Sequence, residues 1–281
     1  MIEFIYLGVA VVGTVAASLF DVKLTPTEIP DEIPHAMILF GVITSLLFFS
    51  EKTINYAEEL GLTAVLAFMM YKLGQWGGGD SKMLVAVVSL SPGLSLIYGS
   101  NFSISYVLNV FFVGAFYSII NVLVLACKKG LLKKIVRERD VAMKSLLLFF
   151  LSFSLFSIFN YISMTYVGIE VTRYFFMFLT YSLILSSTIT VSYFLWRLMK
   201  RVDEKCFRKR IKVEKLKEGD VLLPSKEWKG LSRKEVELIK RSGRKYVWIK
   251  TGICFAPVFS LSLLTTYLLR SFFSSFLIPF M

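Results

Sequence analysis

Apolar residues run along the chain in long blocks, and charged residues collect in the stretches between them. The blocks fall at residues 4–20, 35–50, 57–73, 81–98, 106–127, 146–164, 171–199 and 253–269. Each approaches the ~20 residues that a helix needs to cross a hydrocarbon core of about 30 Å, so the pattern predicts eight spanning helices. The fourth is irregular. Pro92 and Gly93 interrupt it, and its regular part would rise only about 16 Å at 1.5 Å per residue. It either continues through a kink or starts below the membrane surface.

Charge supplies an orientation. The first connection (Lys23), the third (Lys72, Lys82), the fifth (Lys128, Lys129, Lys133, Lys134, Arg137, Arg139, Lys144) and the seventh are basic, whereas the connections between them hold only Lys52 and Arg173. An excess of Lys and Arg marks the cytoplasmic side, which predicts a multi-pass cell-membrane protein with both termini outside. The first block lacks a basic flank, so despite Ala16, Ala17 and Ser18 it reads as a retained helix. The expected organisation is helices 1–5 (residues 1–127), a basic cytoplasmic loop (128–144), helices 6 and 7 (145–199), a basic cytoplasmic subdomain (200–250), and the last helix with the C-terminus (251–281). The fold class is an all-α polytopic membrane protein with a small α+β cytoplasmic insert before its last helix.

That insert alone has the features of a soluble domain. Residues 201–250 hold seventeen bases and eight acids, a balance suited to lying near anionic headgroups without any ligand. Ser232 and Glu235 form a capping-box pattern, Val236, Leu238 and Ile239 give the following helix an apolar face, and Gly243 is placed to end it. Residues 245–250 read as a strand. About fifty residues is near the lower limit for an independent core, so the insert is expected to dock on helix ends.

Composition removes several function classes. The chain is 56% hydrophobic and 19% charged, with a mean hydropathy of +0.66, against about 45–50% and about 25% in soluble domains. Because membrane orientation accounts for the net charge of +12, lipid is an expected partner and nucleic acid is not. Cys127, Cys206 and Cys254 are too widely spaced for zinc-binding pairs or a disulfide framework. With His35 as the single histidine, neither a metal nor a cofactor is expected.

Ionisable residues at the edge of spanning segments are functional candidates by default. Asp21 closes the first span, and Asp80 opens the fourth behind Gly77, Gly78 and Gly79. The predicted topology puts both at the cytoplasmic face. Taken alone, Asp80 reads as an N-cap and Asp21 as an interfacial marker. The glycines shift the balance, because a backbone without Cβ atoms lets another segment approach closely. Two carboxylates brought together share one proton, and one can then serve as base towards water while the other is the acid towards a carbonyl oxygen. Lys82, two residues after Asp80, has a stem long enough to bring a positive charge towards the pair; the simpler reading is a snorkelling anchor.

These residues carry a resemblance. Gly77-Gly78-Gly79-Asp80-Ser81-Lys82 resembles the GxGD motif of the type IV prepilin peptidases, and Asp21 with Lys23, Ile29 and Pro30 resembles that family's upstream Asp and its neighbours. Residues 216–221 and 252–257 resemble the C-terminal region of archaeal preflagellin (prearchaellin) and prepilin peptidases. The resemblance implies a membrane aspartic endopeptidase that removes short basic leaders (class III signal peptides) from archaellin or pilin-like precursors. Asp21 and Asp80 then hold the catalytic positions, with Gly77, Gly79 and Lys82 in support. The bacterial cysteine tetrad and the region that accompanies N-methylation are not matched, so a second activity is not implied. Presenilin-like proteases are similar in the GxGD motif alone. Beside Asp21, the loop residues Glu28, Asp31 and Glu32 outnumber the single base Lys23. They form an acidic patch suited to docking a basic leader, unless they are only solvated or pair with the basic insert.

The remaining features read as structure. Gly219-Asp220 suits a turn, the Phe-rich stretch 146–159 suits lipid contact or bundle packing, and the serines in the spans lack His or Lys partners at helix spacing. Two other classes compete: an ion- or proton-coupled transporter using Asp21 and Asp80 as carriers, and a non-enzymatic assembly protein. A carrier predicts mid-membrane carboxylates and internal repeats; the sequence puts both groups at one face and contains no repeat.

Overall fold

The computed structural model describes residues 2–23, 29–99, 101–167, 174–223 and 230–268. Among them run helices α1 (Ile2–Lys23), α2 (Glu32–Phe48), α3 (Thr53–Lys72), α4 (Gly78–Val88), α5 (Ser91–Tyr98), α6 (Phe102–Lys128), α7 (Leu131–Arg137), α8 (Arg139–Tyr166) and α9 (Phe175–Val202). Strands β1 (Arg208–Lys212) and β2 (Val221–Leu222), helix α10 (Arg233–Arg241), strand β3 (Tyr246–Lys250) and helix α11 (Pro257–Leu268) complete the order.

Every predicted block contains a helix. By length and hydropathy, however, four of these helices are candidate spans: α1, α6, α8, and α9 with its extension to Phe207. The pair α4 and α5, bent by 64°, makes a fifth if it is one broken span. The shorter α2 and α11 are apolar, and α3 carries Glu58 and Glu59 within its twenty residues. Residues 128–144, expected as a loop, instead contain α7 and the first turns of α8, with Gly130 at φ +63° just before α7.

The chain forms two compact units, residues 1–119 with 208–281, and residues 120–207. The first has an apolar core that includes Tyr6, Met83, Leu84, Leu90, Leu94, Phe102, Tyr106 and Phe259. Its bent helix has a local cause. Pro92 has no N–H to offer the Val88 carbonyl, so the regular ladder stops there. The Ser89 carbonyl instead accepts from Tyr56 Oη at 3.1 Å, and Ser89 Oγ donates to the Ala86 carbonyl at 2.7 Å. Gly93 then packs on the ring of Tyr6, where a Cβ would overlap the ring carbons, and Tyr6 Oη donates to Thr44 Oγ1 at 2.6 Å.

The same unit contains a small antiparallel sheet in the order β1-β3-β2. β3 pairs Lys250 with Arg208 on one side and with Val221 on the other. Val213, Leu216, Val236, Val247 and Ile249 form its core. The α10 capping box is present, with Glu235 N–H donating to Ser232 Oγ at 3.4 Å and Ser232 N–H donating to Glu235 Oε2 at 2.8 Å. β3 matches the expected strand, and Gly243 follows α10 with φ +71°. In the Gly219-Asp220 turn, Gly219 has φ +86° and Asp220 accepts from Lys217 N–H at 2.8 Å.

In the second unit α8 packs along α9. Asn160 donates to Ser182 Oγ at 3.1 Å, and Arg201 donates to Glu138 at 2.6 Å. Most large apolar residues of both helices are exposed, including Phe150, Leu155, Phe159, Ile184 and Val191, as suits lipid contact.

Candidate active site

Asp21 lies in the last turn of α1 and is buried. Its Oδ2 accepts the Ala256 N–H at 3.0 Å. This amide lies at the start of α11, whose own first bonds run from Val258 N–H to the Phe255 carbonyl and from Phe259 N–H to the Ala256 carbonyl. A carboxylate at a helix N-terminus meets amides with no partner inside the helix and the positive end of the helix dipole.

Asp80 is half-buried and is the third residue of α4. It is not the N-cap that its place behind the glycines suggests. Gly77 holds that position, and Asp80 Oδ2 accepts the Gly77 N–H at 3.2 Å, the return half of a capping box. Asp21 and Asp80 lie close enough for their charges to interact, and the half-buried thiol of Cys254 is within electrostatic range of both.

Two glycines of the run have distinct uses. A Cβ on Gly77 would stand 3.3 Å from Asp80 Oδ2, and a Cβ on Gly79 would stand 3.1 Å from Ile29 Cβ. The missing side chains therefore leave room for the carboxylate and for buried Ile29. At Gly78 the nearest neighbour of such an atom is Tyr71 at 3.9 Å, an ordinary contact. Just before the run, Trp76 stacks on Phe111 with centroids 5.4 Å apart and meets Phe255 at 5.9 Å. The Phe255 ring occupies the space that a Gly114 side chain would need, its Cζ only 2.8 Å from an added Cβ. One aromatic cluster thus fixes both the approach to Asp80 and the residue before Ala256.

Two other sequence candidates meet beside this site. Lys82 Nζ donates to both oxygens of Asp31 at 2.7 Å, an ion pair with both partners partly exposed. Glu32 is exposed in the first turn of α2, while Glu28 lies outside the described residues. The sequence reading attached no role to Trp76, Gly114, Phe255 or Ala256. The signals available were a mid-span glycine and an aromatic-Ala-Pro helix start, which imply packing and capping but name no partner. Among the described residues, no group of three His, Cys, Asp or Glu side chains could hold a metal ion.

The architecture defines a helical membrane protein in which a bent helix brings one Asp beside a second, buried Asp. Residues 8–119 match the type IV leader peptidase family. Over that segment, which contains both Asp21 and Asp80, the chain is similar to this family of peptidases. Comparison with curated proteins and with solved structures gave no match.

Proposed function

We propose that this protein is a membrane aspartic endopeptidase that removes short basic leaders from archaellin or pilin-like precursors, with Asp21 and Asp80 as the catalytic pair. The observation that carries this reading is the meeting of the two carboxylates at helix ends, each accepting backbone amides. In the reaction, water attacks the scissile carbonyl carbon. One carboxylate takes the water's proton, and the protonated partner donates to the carbonyl oxygen. Collapse of the tetrahedral intermediate breaks the C–N bond and returns a proton to the leaving amine. No metal is required by this scheme.

The alternation of basic connections supports eight crossings and a cytoplasmic site, with the bent α4–α5 pair as the fourth span. Asp31 and Glu32, with Glu28, form the leader-docking surface, and Lys82 shares Asp31 with it. The carrier alternative lacks support, and both carboxylates lie at helix ends.

The test is processing of a tagged precursor by full-length protein in membranes. Asp21→Asn and Asp80→Asn should each reduce cleavage by about 10²–10⁴-fold, because Asn keeps the shape but cannot cycle a proton, while insertion stays normal. The residual pH dependence of the parent should report values belonging to the pair. Full cleavage by either Asn variant at matched expression would end the aspartic mechanism.

A further inference from the structure

The family match stops at residue 119, yet the donor nearest to Asp21 is at residue 256. Ala256 is fully buried, as are its neighbours Val258 and Phe259 in the first turn of α11. Phe255 is wedged between Trp76 and Gly114, and its ring also meets Phe259 edge-on at 5.8 Å. Ser18, one turn before Asp21, lies 3.3 Å from Ser260, one turn after Ala256. The contact between α1 and α11 is therefore fixed at two successive turns and locked by an aromatic ring. Only five residues separate Ala256 from the end of β3.

We propose that the start of α11 is a positioning element of the active site, in which the Ala256 backbone amide holds the Asp21 carboxylate in its reacting orientation. This rests on the catalytic reading of Asp21 and adds residues to it that lie outside the family-matched segment. The Ala256 bond ties one carboxylate oxygen, Oδ2, to a buried helix start. A carboxylate displaced by about 1 Å can lose about a hundredfold in rate. Because this amide acts through Asp21, its loss acts on turnover and leaves leader binding alone.

The test compares Ala256→Pro, which removes the N–H, with Ala256→Gly, which keeps it, both as the full chain in lipid nanodiscs. Proline is tolerated in the first turn of a helix because that N–H has no intrahelical partner. Ala256→Pro should lower kcat by about 10–100-fold, with KM within about twofold of the parent and a displaced pH–rate profile. Ala256→Gly should retain parental kcat and profile. If thermal melting shows that the proline variant has lost its fold, a backbone ester at position 256 replaces it, since it deletes only the N–H. A folded proline or ester variant with parental kcat and pH profile would overturn the proposal. Asp21→Asn separates the two levels. If it is inactive while the folded Ala256 variant is normal, only the positioning role fails; if Asp21→Asn is active, the catalytic reading itself fails.

Discussion

The two units use membrane-compatible sequence in opposite ways. In residues 120–207 the long helices α8 and α9 are regular, and 11% of each candidate span's apolar window is buried within the protein. In the unit formed by residues 1–119 and 208–281, the corresponding share is 22% for α1, and the neighbouring helices are short, bent or interrupted. Three of these ends and breaks have a polar partner. Tyr56 meets the Ser89 carbonyl, Asp80 meets Gly77, and Asp21 meets Ala256. An unsatisfied backbone group in hydrocarbon costs several kcal/mol. Broken helices are therefore retained where protein surrounds them, and that is the unit containing the candidate site.

The largest effect that would sharpen this contrast belongs to Gly93. A Cβ there would overlap the Tyr6 ring, and Tyr6 is fully buried with its hydroxyl already engaged by Thr44. Gly93→Ala should lower stability by about 1–3 kcal/mol, the usual cost of overpacking, and impair cleavage by moving α5. Thermal unfolding and precursor processing report the two effects. Parental values for both would mean that the bend is not built on this contact.

A smaller effect is expected at the ion pair of Lys82 and Asp31. Both side chains are substantially exposed, at 39% and 59%, so its contribution to stability is only about 0–1 kcal/mol. Its consequence should instead be in substrate choice. Lys82→Met, which releases Asp31, should steepen the dependence of processing on leader charge. Replacing Glu28, Asp31 and Glu32 with Gln or Asn should remove that dependence and its sensitivity to salt, as exposed charges are screened over about 8–10 Å. Unchanged dependence in both variants would move leader recognition elsewhere.

What was legible in the sequence follows the same division. The helices of residues 120–207 could be placed from hydropathy because they are long and apolar along their length. Within the expected loop at 128–144 lies α7, whose Leu131 and Ile135 are buried but too few to stand out among Lys and Arg. β1 was missed for a similar reason: Arg208-Lys209-Arg210-Ile211-Lys212 has one apolar residue and no alternation. Asp21 and Asp80 were legible because a carboxylate beside an apolar run is conspicuous. Their surroundings were not. The bond from Ala256 N–H to Asp21 joins residues 235 positions apart, and a backbone amide has no sequence signature. The position of Asp80 at the third helical residue depended on which of three glycines begins α4, a choice that neighbouring packing makes.

The least effect, and the one that would break the comparison, is expected at the polar contact between α8 and α9. Asn160 donates to Ser182, which is fully buried, and Ser186 one turn later returns its hydroxyl to the Ser182 carbonyl. Interhelical hydrogen bonds in membranes average about 0.6 kcal/mol, because helices apart in lipid find other partners. Asn160→Leu should therefore change stability by no more than about 1 kcal/mol. It should leave precursor cleavage unaltered, since no backbone break depends on that amide. A hydrophobic replacement also suits the exposed apolar surface around it, where Phe159 and Ile162 are already exposed. If Asn160→Leu instead abolished cleavage in a folded protein, α8 and α9 would have to act in the reaction, and the separation between a regular lipid-facing unit and an irregular catalytic one would not hold.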